Sequence, residues 1–126
     1  MEKLGERELD IMQALWQLKK ATVGDVQEIL REQGEEIAYT TIQTMLNRLE
    51  IKKLVARDGS ERTHRYYAIL KEPKVADGAI KRLTERFFRG SAEELVSRLV
   101  KKDLTVEQLE RIQNLINEQR KEEKKK

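Results

Sequence analysis

Cysteine is absent from the 126 residues, which excludes disulfides and thiolate-held metals. The single histidine, His64, cannot build a histidine-rich zinc site. No apolar run approaches the length that spans a bilayer, and the N-terminus lacks the apolar core of a signal peptide. A soluble, cytoplasmic protein is expected. Catalytic signatures are missing as well: there is no HExxH, no P-loop, no G-x-S-x-G and no thiol nucleophile. Asp and Glu fall mostly on helix exteriors, and nothing points to a buried acid pair. The expectation is a protein that is not an enzyme and uses no cofactor.

Charge is plentiful but almost balanced, with 26 basic residues against 23 acidic ones. Its distribution is more informative than its total. Residues 1–38 hold five basic and nine acidic residues, whereas residues 39–70 hold six basic and three acidic. The basic excess in the N-terminal half therefore starts near residue 39. The chain ends in "KEEKKK", which has no apolar residue to bury and is expected to be a frayed, solvated tail over 121–126.

Apolar residues at helical spacing predict a first helix over about 5–19, with Leu9, Met12, Leu15 and Trp16 inward. A second follows an N-cap at Thr22, buries Val26, Ile29 and Leu30, and stops at Gly34. The third, over about 39–53, reads "YTTIQTMLNRLEIKK" and carries Ile42, Met45, Leu46 and Leu49 on its inner face. The period then changes. "LVARDGSERTHRYYAIL" predicts two short strands, about 54–58 and 64–70, turning at Asp58-Gly59-Ser60. Three short helices and a hairpin are the order of a winged helix-turn-helix, although "EQGEEIAYT" is long for a tight turn between helices two and three.

The outer face of the third helix is unlike the Glu- and Lys-coated surface elsewhere. It offers Thr40, Thr41, Gln43, Thr44, Asn47, Arg48 and Lys52. Amides, hydroxyls and guanidinium groups are what reads base edges when a helix lies in the major groove of DNA. Gln43 and Asn47 are one turn apart and expected to face one groove, and Arg48 is placed for phosphate or guanine. The hairpin adds Arg57, Arg62, His64 and Arg65, which a wing brings to the flanking backbone or minor groove. Taken singly, each of these is an ordinary solvent-facing side chain; grouped on one helix and wing, they favour DNA.

Beyond residue 70, Pro73 suits the first turn of a helix with Ala76, Ile80, Leu83 and Phe87 inward, ending near Gly90. Ser91 caps a short helix carrying Leu95, Val96, Leu99 and Val100, and Thr105 caps a last one lined by Val106, Leu109, Ile112 and Ile116. Such short, charged helices have little of their own to pack upon. A dimerisation module is the reading preferred over a helical cap, with Leu95, Leu99, Leu109, Ile112 and Ile116 as its seam.

"AYTTIQTMLNRL", the "R-x-H-x-Y" of the wing and "FFRGSAEELVSRL…DLTVEQLERIQNLI" together resemble the penicillinase-repressor (BlaI/MecI) family over about 9–117. The resemblance implies a homodimeric winged-helix repressor on a palindromic DNA operator. It puts Thr41, Gln43, Thr44 and Arg48 on the recognition helix, and Arg62 and Tyr66 on the wing. Two departures stand out. Lys52-Lys53 replaces a usual Lys-Gly after the helix, which loses a favourable left-handed stop, and Glu61 and His64 replace a wing glycine and aromatic. The resemblance further implies induction by proteolysis through a membrane sensor-protease system. The cleaved bond would align near Arg98 and Leu99, where Asn-Phe would match better. A copper-sensing branch uses Cys-x-Cys pairs, which this chain lacks.

The reading is a mainly α protein with a small β-hairpin: a winged-helix DNA-binding domain (1–70), a helical dimerisation domain (71–120) and a charged tail (121–126). The rivals are a winged-helix module that binds protein, and a DNA-binding repressor released by a small molecule.

Overall fold

The computed structural model describes residues 4–126. Its elements run α1 (Glu6–Leu18), α2 (Val23–Glu32), α3 (Tyr39–Ile51), β1 (Val55–Asp58), β2 (Arg65–Ala68), α4 (Glu72–Phe88), α5 (Ala92–Lys102) and α6 (Val106–Lys124). They form two compact units, Met1–Gly78 and Ala79–Lys126, with the division inside α4.

In the first unit, several helix ends have a local cause. Glu8 reaches back to accept from the Gly5 N–H at 2.9 Å, satisfying a donor that opens α1. Thr22 and Asp25 form a reciprocal capping box at α2, both bonds 3.0 Å long. Gly34, at φ +87°, turns the chain out of α2. Ala38 gives α3 no side-chain cap. Instead Gln27 holds the preceding loop by donating to the Ile37 carbonyl at 3.0 Å.

The end of α3 departs from expectation in an instructive way. Without the glycine, the left-handed stop survives: Lys53 itself adopts φ 65°. The Leu54 N–H closes onto the Leu49 carbonyl at 3.0 Å, and Lys53 onto Glu50 at 2.9 Å. These are the bonds of a Schellman motif, here made by a residue with a Cβ.

The hairpin pairs β1 and β2 antiparallel, with Val55 opposite Ala68 and Arg57 opposite Tyr66. Asp58 accepts from the Ser60 N–H at 3.0 Å, forming the expected turn. A third pairing has no counterpart in the sequence reading. Ala21, between α1 and α2, exchanges both backbone bonds with Tyr66 at 2.7 and 3.0 Å. This ties the hairpin to the helical layer.

Beneath these elements lies one core, built from Ile11, Met12, Leu15, Val26, Leu30, Ile42, Leu46, Leu49, Val55 and Tyr66, all almost fully buried. Leu9 and Trp16 are only half-buried, while Ile11 and Ala14 take the deeper places in α1. Trp16 still anchors, since its indole N–H donates to the Leu70 carbonyl at 2.9 Å.

The second unit is differently made. Arg89 and Gly90, at φ 51° and 81°, end α4, and Ser91 caps α5 by accepting from the Glu94 N–H at 3.1 Å. Thr105 and Gln108 box the start of α6. No residue of α5 or α6 is buried. Ala76, Ile80, Leu83 and Phe87, expected inward, are exposed, Phe87 by 71%. Leu99 and Ile116 are exposed, and Leu95, Leu109 and Ile112 half-buried. The apolar pattern is present, but the described residues leave much of it exposed. The expected frayed tail is helical as far as Lys124, with every side chain in solvent.

Candidate nucleic-acid interface

The polar residues of α3 fall into two rows with different surroundings. Thr40, Thr41, Thr44 and Arg48 are exposed. Thr44 donates its hydroxyl hydrogen to the Thr40 carbonyl at 2.9 Å, which leaves its methyl and lone pairs outward. Arg48 has no ion-pair partner among the described residues. Spacing of four residues stacks 40, 44 and 48 along one ridge, where a groove could be followed.

Gln43, Asn47 and Glu50 form the second row, half-buried and turned toward the hairpin. Here the wing closes onto the helix. Arg57 donates through one guanidinium nitrogen to Asn47 Oδ1 and Glu50 Oε1, both at 3.1 Å. Its other terminal nitrogen lies 3.2 Å from His64 Nδ1, and the guanidinium sits 5.2 Å from the centre of the Tyr66 ring. Because a guanidinium can only donate, His64 must accept through Nδ1. Gln43 Nε2 donates to the Tyr66 hydroxyl at 2.8 Å and to Asn47 Oδ1 at 3.2 Å. Val23, Tyr39, Gln43, Arg57, Arg62 and Tyr66 are among the residues around the resulting cleft, about 230 Å³ in volume.

The remaining predicted cations are divided. Lys52 is tied to Glu8 at 2.9 Å and Arg65 lies 3.7 Å from Glu61, its Nε buried without a partner. Arg62 is exposed and, among the described residues, has no ion-pair partner. At the turn end of the hairpin Lys20 donates to Asp58 at 2.8 Å. That bond, with the Ser60 N–H, holds the Asp58 carboxyl well below the usual carboxylate range. Sequence reasoning placed Gln43 and Asn47 together but missed the Tyr66 hydroxyl as the partner of Gln43 and Arg57 as the partner of Asn47. Spacing shows residues on one helix; it does not show which hairpin residue stands against them.

Three helices, a two-stranded wing and a polar exposed ridge on the third helix define a winged-helix transcriptional regulator. Solved structures agree on the fold. A MarR family protein from Bacillus stearothermophilus superposes with TM-score 0.57, at 17% identity over 98% of this chain and 77% of that one. RosR of H. salinarum gives 0.51, at 18% identity over 94% of each chain. The chain belongs to the penicillinase-repressor family, whose sequence profile matches residues 4–118. That is a family of transcriptional repressors, not enzymes. The penicillinase repressor of Staphylococcus aureus is 23% identical over 112 residues, covering 88% of each protein. Transcriptional regulator BlaI of Mycobacterium tuberculosis is 39% identical over 67 residues, 52% of this chain. That match spans only 48% of BlaI itself.

Proposed function

We propose that this protein represses transcription as a homodimer that sets α3 of each copy into the major groove of a two-part DNA operator. The observation that carries the proposal is the uncovered ridge Thr40, Thr41, Thr44 and Arg48 beside the wing's Arg62, in a chain of a repressor family. A face built to bind protein would offer large apolar anchors at its centre. On α3 the exposed ones, Tyr39 and Ile51, sit only at its two ends.

The dimer reading rests on the second unit. Rows of Leu, Ile and Val without cover inside the chain match what two short helical units gain by packing together. Residues 1–70 then bind DNA, 71–120 join the copies, and 121–126 extend α6 into solvent. Arg98 and Leu99 lie exposed on α5, so cutting there would separate the DNA-binding part from α6. That release step would need a protease partner, such as a membrane sensor-protease system. The repressor would work in the cytoplasm; no described helix is long and apolar enough to cross a membrane.

Selection of bound duplexes from fragmented genomic DNA, followed by footprinting, tests the proposal. Enrichment of a two-fold symmetric site, protected in two patches about one helical turn apart or a multiple of it, is the expected result. Recovery of fragments without any shared sequence would refute it.

A further inference from the structure

The amide pair of α3 has its hydrogen-bonding ends assigned before DNA arrives. Arg57 has no acceptor, so the atom of Asn47 that meets it is the oxygen. That oxygen has two lone pairs, and it accepts from Arg57 and from Gln43. Gln43 must then present its nitrogen, whose two hydrogens go to Asn47 and to the Tyr66 hydroxyl. What remains is Gln43 Oε1, an acceptor, and Asn47 Nδ2, a donor. Both are without partners among the described residues, and neither is a buried atom.

We infer that Arg57 is a positioning residue, not a phosphate contact, and that it makes Gln43 an acceptor-only reader and Asn47 a donor-only reader of base edges. An amide that reads adenine alone needs both its ends, one for N6 and one for N7. Neither residue has both free. Gln43 is therefore matched to an exocyclic amine, that of adenine or cytosine. Asn47 is matched to a major-groove acceptor: a purine N7, guanine O6 or thymine O4. The inference rests on the DNA-binding reading above, and deepens it to the chemistry of two base contacts.

The test uses the full chain and duplexes it selects from a randomised pool. Gln43→Ala and Asn47→Ala first locate the base pair at which each side chain discriminates. At the Gln43 position, a base analogue without the exocyclic amine should weaken wild-type binding about tenfold, and Gln43→Ala no further. Removing N7 from a purine there, by a 7-deaza analogue, should cost less than about twofold. Equal losses from both analogues would mean a bidentate amide, and would overturn the inference.

Arg57→Met should lose discrimination at both positions while keeping the salt dependence of binding to random DNA. A salt slope lower by about one, with equal losses on all duplexes, would instead make Arg57 a phosphate contact. Tyr66→Phe is the complementary variant, because it returns one hydrogen to Gln43 while preserving the buried ring. It should acquire sensitivity to the 7-deaza analogue when the Gln43 position holds adenine; a variant that stays indifferent to N7 there contradicts the assignment. A pool that yields no enriched sequence would fail the DNA reading itself, an outcome distinct from enrichment with the wrong analogue pattern.

Discussion

Lys52, at the C-terminal end of α3, donates to Glu8 near the start of α1 at 2.9 Å, although 44 residues separate them. The Glu8 side chain is only 15% exposed. A cation expected to face DNA thus holds the candidate reading helix against the body of its unit. Glu8 in turn has two duties, since it also accepts from the Gly5 N–H that opens α1.

The pH dependence of stability follows from that pair. The Gly5 N–H, and then Lys52, lower the Glu8 pKa from its ordinary 4.5, so the unfolded chain binds a proton more readily than the folded one. Stability from this group is present above about pH 4.5 and is lost as pH falls through the folded value. Asp58, lowered by Lys20 and Ser60, acts in the same direction. Thermal midpoints measured from pH 7 to pH 3 should therefore fall, and Glu8→Gln should flatten the drop. A variant with the parent's profile would remove Glu8 from this account.

Lys53 carries a second stability prediction. A residue with a Cβ held at φ 65° is strained, and glycine relieves the clash at some cost in chain entropy. Lys53→Gly should raise unfolding free energy by up to about 1 kcal/mol. Urea titration decides it: a destabilised variant would show that the lysine's own contacts outweigh the strain.

Among the cations, the geometry ranks Arg48 and Arg62 above Lys52 for phosphate binding, because Lys52 is already paired. Replacing Arg48 or Arg62 by Gln should weaken binding to all DNA sequences and lower the salt slope by about one unit each. Lys52→Gln should leave the slope nearly unchanged and lower the melting temperature. Titrations at several salt concentrations separate the three, and a Lys52 effect as large as the arginines' would reverse the ranking.

The winged helix was readable because its signals are local and repeated. Ile42, Leu46 and Leu49 mark a helical stripe, Thr22 is a reciprocally bonded cap, and Asp58-Gly59-Ser60 is a turn with a mechanism. The Ala21–Tyr66 bridge was not readable, since one pair of residues leaves no period. Lys53 hid a helix stop because the left-handed conformation normally announces itself through glycine or asparagine. At the candidate site, Gln43 and Asn47 were legible as neighbours one turn apart. Their ties to the hairpin, Asn47 to Arg57 and Gln43 to the Tyr66 hydroxyl, depend on hairpin register, which sets Arg57 opposite Tyr66. In α4 the apolar row was legible while its destination was not: Ile80, Leu83 and Phe87 have helical spacing, but the chain alone does not cover them.

The claim on which the account depends is that two copies, joined through the second unit, read one operator together. Half-buried Leu109 and Ile112 on α6 are the residues to break. Replacing both with Asp puts two charges into an apolar seam, while the first unit keeps its own core. Joining two half-site contacts can raise avidity by roughly 10²–10⁴. Titration of the selected two-part duplex with the double variant, its mass followed by sedimentation, is the most direct measurement. The account predicts a folded monomer that binds at least about 100-fold more weakly than the parent. A monomer that binds the duplex as tightly as the parent would contradict it.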